Sequence, residues 1–153
     1  MDLPQRKPNR IPNYDYSQNG AYFITFCVAD RKPLLSTIDR FTRQVHLLPY
    51  GKVLEKYIQN VPEIEKYVIM PDHVHLIIRL RTGDDVWPNR FGGNRVASIV
   101  RSIKALTTKE IGASIFQRSY YDHVIRNQAD YNEKWEYIDG NPIKWVLRKQ
   151  GDS

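Results

Sequence analysis

At 153 residues the chain is long enough for one hydrophobic core and too short for two comfortable ones. Lys and Arg outnumber Asp and Glu by 23 to 17, and a charge of +6 with a pI near 9.4 favours polyanionic partners such as nucleic acid. The lone cysteine, Cys27, excludes an internal disulfide and a cysteine-based zinc site within one chain; with no apolar run fit for a signal peptide or a membrane span, the cytoplasm is the expected compartment.

Residues 1–20, rich in Pro, Asn and Arg with interleaved tyrosines, read as an extended basic arm, and residues 21–153 as a single domain. AYFITFCV, residues 21–28, is dense in aromatic and β-branched residues and predicts the first strand. RQVHLL, residues 43–48, is a short additional strand candidate. Past Pro49, the spacing of Val53, Leu54, Tyr57 and Ile58 predicts a helix of about ten residues that stops before Pro62. YVIM and HVHLIIRL are two strands separated by Pro71 and Asp72, which leaves room only for a tight antiparallel hairpin. A turn-rich basic loop fills 81–95. Residues 96–111 place Val96, Ile99, Val100, Ile103 and Leu106 on one helical face and end at Gly112. SYYDHVI, 119–125, predicts a fourth strand. A final helix is expected from Asn127 or Asp130, with Asp130 and Glu133 at capping-box spacing and Gly140, Asn141 and Pro142 as its stop.

Strand, helix, strand, strand, helix, strand is the order of an α+β, ferredoxin-like split βαβ fold: an antiparallel sheet with helices on one face, here followed by an added C-terminal helix. That arrangement leaves the second face of the sheet to carry a site. Alternation along residues 73–80 puts Val74, Leu76, Ile78 and Leu80 under the helices and His73, His75, Ile77 and Arg79 on the other side. Two imidazoles on one face can share a divalent ion, and without a thiolate nearby Mg2+ or Mn2+ suits them better than structural zinc. The plainer reading is two histidines on a half-exposed strand. In the last helix Tyr131, Trp135 and Ile138 form an apolar stripe, while Glu133, Tyr137 and Asn141 follow one another at four-residue steps on a different flank. Asn141 has two readings, an amide oxygen for a hard cation or part of a Gly-Asn-Pro helix stop.

The segments RKPNRIPNYDYSQNGAYFITF, KYVIMPDHVHLIIRL, and FQRSYYDHVIRN running on to WEYIDGNPIKW together resemble the REP-associated tyrosine transposases, which are HUH single-strand nucleases. The resemblance implies a metal-dependent nuclease and strand transferase that cuts single-stranded DNA at the foot of palindromic hairpins through a 5′-phosphotyrosine. His73 and His75 match its metal-binding histidines, Asn141 its third ligand and Tyr137 its nucleophile. Asp72 stands where Asn is common before the first histidine, and Phe116 where Trp is common. The implied partners are single-stranded DNA and DNA hairpins, with the protein a monomer or homodimer and no membrane involved. Phosphate contacts are expected from Arg6, Lys7, Arg10, Arg79, Arg81, Arg90, Arg95, Arg101 and Lys104. Tyr121 is a candidate to line the DNA surface, and Tyr14 and Tyr16 have two readings, stacking on bases or packing within the arm. Glu133 is a candidate general base. The competing class is a non-catalytic, domesticated nucleic-acid-binding protein of the same fold. A two-histidine hydrolase is disfavoured, because His46 and His123 are not followed by the Ser or Thr such a motif needs.

Overall fold

The computed structural model describes residues 20–80 and 95–151. The expected arm, apart from Gly20, and Arg81 and Arg90 lie outside that range. Four strands form an antiparallel sheet: β1 (Ala21–Cys27), β4 (Ile64–Ile69), β5 (His73–Arg79) and β6 (Tyr121–Val124), in the order β4-β5-β1-β6. A separate hairpin pairs β2 (Ser36–Ile38) with β3 (Val45–Leu47). The helices are α1 (Pro49–Gln59), α2 (Arg95–Ile111) and α3 (Gln128–Gly151). With β1 and β4 flanking β5, this is the split βαβ arrangement expected from the element order. None of the described helices is long and apolar enough to cross a membrane.

One face of the sheet carries the principal core, in which Ile24, Phe26, Val74, Leu76 and Ile78 pack with Leu54 and Ile58 of α1 and with Val96, Ile99, Val100 and Ile103 of α2. Pro49 opens α1, where its missing N–H costs nothing. A side chain at Gly51 would meet the Leu35 carbonyl oxygen at 2.0 Å, so the close seating of α1 on that segment requires glycine. Gly112, with φ +79°, ends α2 in the left-handed conformation.

The opposite face is not left open. α3 lies across it, and Tyr131, Trp135 and Ile138 pack with Ala21, Phe23, Val68 and Ile77 in a second, smaller core. Two expectations about α3 are corrected here. Asn127 caps the helix, its Oδ1 accepting the Asp130 N–H at 2.8 Å. Asp130 lies inside the helix and so does not cap it with Glu133; its carboxylate accepts the Arg126 N–H at 3.1 Å and binds His123 at 2.9 Å and Lys134 at 2.8 Å. Nor do Gly140, Asn141 and Pro142 stop the helix, which runs on with Pro142 inside it. Pro142 removes the N–H that would bond the Ile138 carbonyl, a loss of about 3 kcal/mol in a helix interior. Ile138, Asn141 and Val146 are all buried on the two sides of that break, and their packing outweighs the loss.

Candidate active site under the C-terminal helix

The turn Met70–His73 sets the site. The Met70 N–H donates to the His73 carbonyl at 2.8 Å, and β5 then leaves the turn with His73 facing Cys27 and His75 facing Thr25 across the β1 ladder. Since residues paired across strands share a face, Phe23 and Thr25 lie beside the histidines. α3 closes over them. His73, His75 and Asn141 are 7%, 5% and 5% exposed, whereas Tyr137 is 40% exposed. The histidines are therefore neither surface residues nor part of the hydrocarbon core.

The rings are brought into contact. His73 and His75 meet edge to face with centroids 4.7 Å apart; the Tyr137 ring stands edge to face on His75 at 5.3 Å. Phe23 stacks on His75 at 5.2 Å, and Trp145 approaches His73 at 6.4 Å. Each histidine is held through Nδ1: His75 by the Thr25 hydroxyl at 2.8 Å, His73 by Asp72 Oδ1 at 2.7 Å. The Arg31 guanidinium donates to the same Asp72 oxygen at 3.2 Å. His75 Nε2 is buried and has no hydrogen-bond partner among the described residues. Burial lowers the His75 pKa to about 3, and His73 and Arg31 nearby push the same way against Asn141, so the ring is neutral at physiological pH. Burial raises the Asp72 pKa, but the hydrogen bonds from His73 and Arg31 outweigh it and hold the carboxyl below its ordinary value.

Asn141 donates Nδ2 to the Tyr137 carbonyl oxygen at 2.8 Å, one turn back along α3. Its side chain also stands beside His75, whose charged form it favours. Two imidazoles and an amide oxygen can serve a divalent ion whose remaining positions are filled by oxygen, and a buried imidazole nitrogen without a partner is otherwise costly. Among the described residues no group of three His, Cys, Asp or Glu side chains could hold a metal, so the third protein ligand here would have to be of another type. A cavity of about 470 Å³ opens beside the histidines, lined by Phe23, Thr25, His75, Tyr121, Glu133, Lys134 and Tyr137.

The remaining sequence candidates fall in different places. Tyr121 is half-exposed in that cavity, and its neighbour Tyr120 packs against the principal core, as alternation requires. Glu133 lines the cavity one turn before Tyr137 and lies 3.4 Å from Lys134. Arg79 pairs with Glu65 at 2.8 Å and lies over Tyr131, and Arg95 holds Glu63 through two nitrogens. Lys104 donates to the backbone carbonyls of Gln117 and Ser119, both at 2.9 Å. Arg101 is exposed on α2, the helix that packs on the far face of the sheet from the histidines. Sequence reasoning passed over Thr25, Arg31, Trp145 and Lys144, whose ammonium lies 4.7 Å from the Tyr137 ring centroid. For Thr25 a signal existed in the register: once β1 is paired with β5, it must sit opposite His75.

No protein-family model matches the chain. An uncharacterized protein of Haemophilus influenzae is 31% identical over 166 residues, covering 94% of this chain and 91% of that one. The REP-associated tyrosine transposase of Escherichia coli K12 is 31% identical over 134 residues, covering 86% of this chain and 72% of the relative. The solved structure of a REP-associated tyrosine transposase bound to a REP hairpin superposes with a TM-score of 0.59 at 26% identity, covering 94% of this chain and 74% of that one.

Proposed function

The chain belongs to the REP-associated tyrosine transposase family, and on that premise we propose that it cuts and rejoins single-stranded DNA at the foot of palindromic hairpins, with Tyr137 as the nucleophile. The observation that carries this reading is the contact between a half-exposed Tyr137 and His75, whose Nε2 is buried without a partner among the described residues. His73, His75 and Asn141 would hold Mg2+ or Mn2+. When bound, such an ion polarises the scissile phosphate and offsets the charge that develops on it.

The protein's own groups account for the rest. Tyr137 Oη forms a bond to phosphorus as the bond from phosphorus to the 3′ oxygen breaks, leaving the 5′ phosphate on the protein and a free 3′-OH on the DNA. The phenolic proton passes to solvent or to a base, for which Glu133 in the same cavity is the candidate, and the departing 3′ oxygen takes up a proton. Because one phosphodiester replaces another, a 3′-OH can reverse the attack and join strands without ATP. Lys144, beside the Tyr137 ring, adds positive charge where the phosphate must lie. α3 packs on the sheet and brings Tyr137 against His75.

The test is incubation with a hairpin oligonucleotide carrying a single-stranded flank. Metal-dependent cleavage should give a free 3′-OH and a protein-linked 5′ end. Undiminished cleavage in EDTA would remove the metal from the mechanism, and binding without cleavage would favour the non-catalytic alternative.

A further inference from the structure

Asp72 lies in the tight turn that delivers His73, yet it is 8% exposed. A carboxylate removed from water to that degree needs partners, and one of its oxygens has two: His73 Nδ1 at 2.7 Å and the Arg31 guanidinium at 3.2 Å; the same Arg31 nitrogen is 3.4 Å from His73 Nδ1, a longer contact than the one Nδ1 makes to Asp72. The backbone is shaped to bring Arg31 there. Asp30 and Arg31 are consecutive non-glycine residues in the left-handed region, with φ of 59° and 53°, a costly arrangement that persists only where the surroundings fix it. Just before them, Val28 anchors that turn by donating its N–H to the Asp72 carbonyl at 2.9 Å. His75 is held differently, by the neutral hydroxyl of Thr25.

We propose that Asp72, clamped by Arg31, is a positioning residue that fixes His73 in its Nδ1–H tautomer and makes it the stronger of the two imidazole ligands. A carboxylate behind an imidazole sets the ring's orientation and raises the basicity of the distal nitrogen; a hydroxyl does both more weakly. The role as ligand rests on the metal reading given above, whereas the tautomer does not.

Two measurements on the full chain test it. In 15N-edited NMR of the metal-free protein, His73 should be the Nδ1–H tautomer, and Asp72→Ala should abolish that preference. In a Mn2+ titration followed by EPR, Asp72→Ala should weaken binding by about 10–100-fold. Asp72→Asn, whose amide oxygen still accepts from Nδ1, should keep the tautomer and lose less affinity than Asp72→Ala. Thr25→Val should also lose less. Melting curves establish that each variant is folded, and Asp72→Leu, which keeps the volume and removes the acceptor, carries the measurement if Asp72→Ala is not. Mn2+ affinity in Asp72→Ala within twofold of the parent, or an unchanged His73 tautomer, overturns the proposal and leaves the metal site standing. A parent chain that binds no Mn2+ overturns the metal reading itself, and with it the claim about ligand strength, while the tautomer measurement still decides what Asp72 does to His73.

Discussion

Val74, Leu76 and Ile78 on one face of β5 are each 0% exposed, and His73, His75 and Ile77 on the other are 7%, 5% and 0% exposed. Burial is nearly equal; its consequences are not. The first face meets α1 and α2 with hydrocarbon alone, and each side chain there contributes roughly 1.5–3 kcal/mol by leaving water. The second meets α3 and buries a ring nitrogen, His75 Nε2, that has no hydrogen-bond partner within geometric limits among the described residues. The two sides of one strand thus separate stability from chemistry, and a substitution on each should report on a different property.

The largest effect is expected on the histidine side. His75→Leu should lower DNA cleavage by about a hundredfold or more while moving the melting temperature little, because hydrocarbon replaces an unsatisfied ring nitrogen and this offsets the bond lost by the Thr25 hydroxyl. A variant that loses activity only by unfolding would break the distinction. On the other face, Leu76→Ala should cost about 2–5 kcal/mol in denaturant unfolding and leave the cleavage rate per folded molecule largely intact.

The two faces also differ in acid. Burial holds the folded-state pKa of His75 near 3 against an unfolded value of 6.5, so the stability it gains from being neutral is complete above pH 6.5 and is lost as pH falls from there toward 3. Asp72, with its pKa lowered in the fold, adds a loss that begins as pH falls into the ordinary carboxylate range and continues below it. Between pH 6.5 and 4.5, then, His75→Leu should flatten the acid limb of metal-free stability and Leu76→Ala should not. Parallel limbs in the parent and His75→Leu would show that the ring is not buried neutral.

How far the sequence reveals this division depends on the kind of signal. The alternation Val74, Leu76, Ile78 against His73, His75 has the period of a strand and a single sensible orientation, so β5 and its faces are legible. β2 is not: Ser36–Ile38 is only three residues long and is defined by pairing with Val45–Leu47. The cover over the histidines is hidden for a different reason. Gly140-Asn141-Pro142 has the local chemistry of a helix end, and only the burial of Ile138 and Val146 against the rest of the molecule carries α3 through it. Asp72 is likewise unreadable from its neighbours, because its partner Arg31 is 41 residues away and reaches it through an unusual backbone turn.

The smallest effect concerns DNA affinity away from the site. Arg79, Arg95 and Lys104 are already engaged by Glu65, Glu63 and backbone carbonyls, so neutralising Arg101 should change the salt dependence more than neutralising Arg95. For every phosphate that is no longer neutralised, the log-log slope for single-stranded DNA should fall by about 0.7. Equal changes for both arginines would mean that the Arg95–Glu63 pair opens on binding.

The identity of the nucleophile is the most direct measurement, because ten tyrosines are present and Tyr121 shares the cavity with Tyr137. The covalent adduct formed on a single-stranded hairpin substrate with Mn2+ should be trapped, digested and mapped. The expected result is one phosphotyrosyl peptide containing Tyr137, with Tyr137→Phe forming no adduct while binding the same DNA within a few-fold. An adduct on Tyr120 or Tyr121, or one that persists in Tyr137→Phe, would contradict the assignment of Tyr137 and of the site built around it.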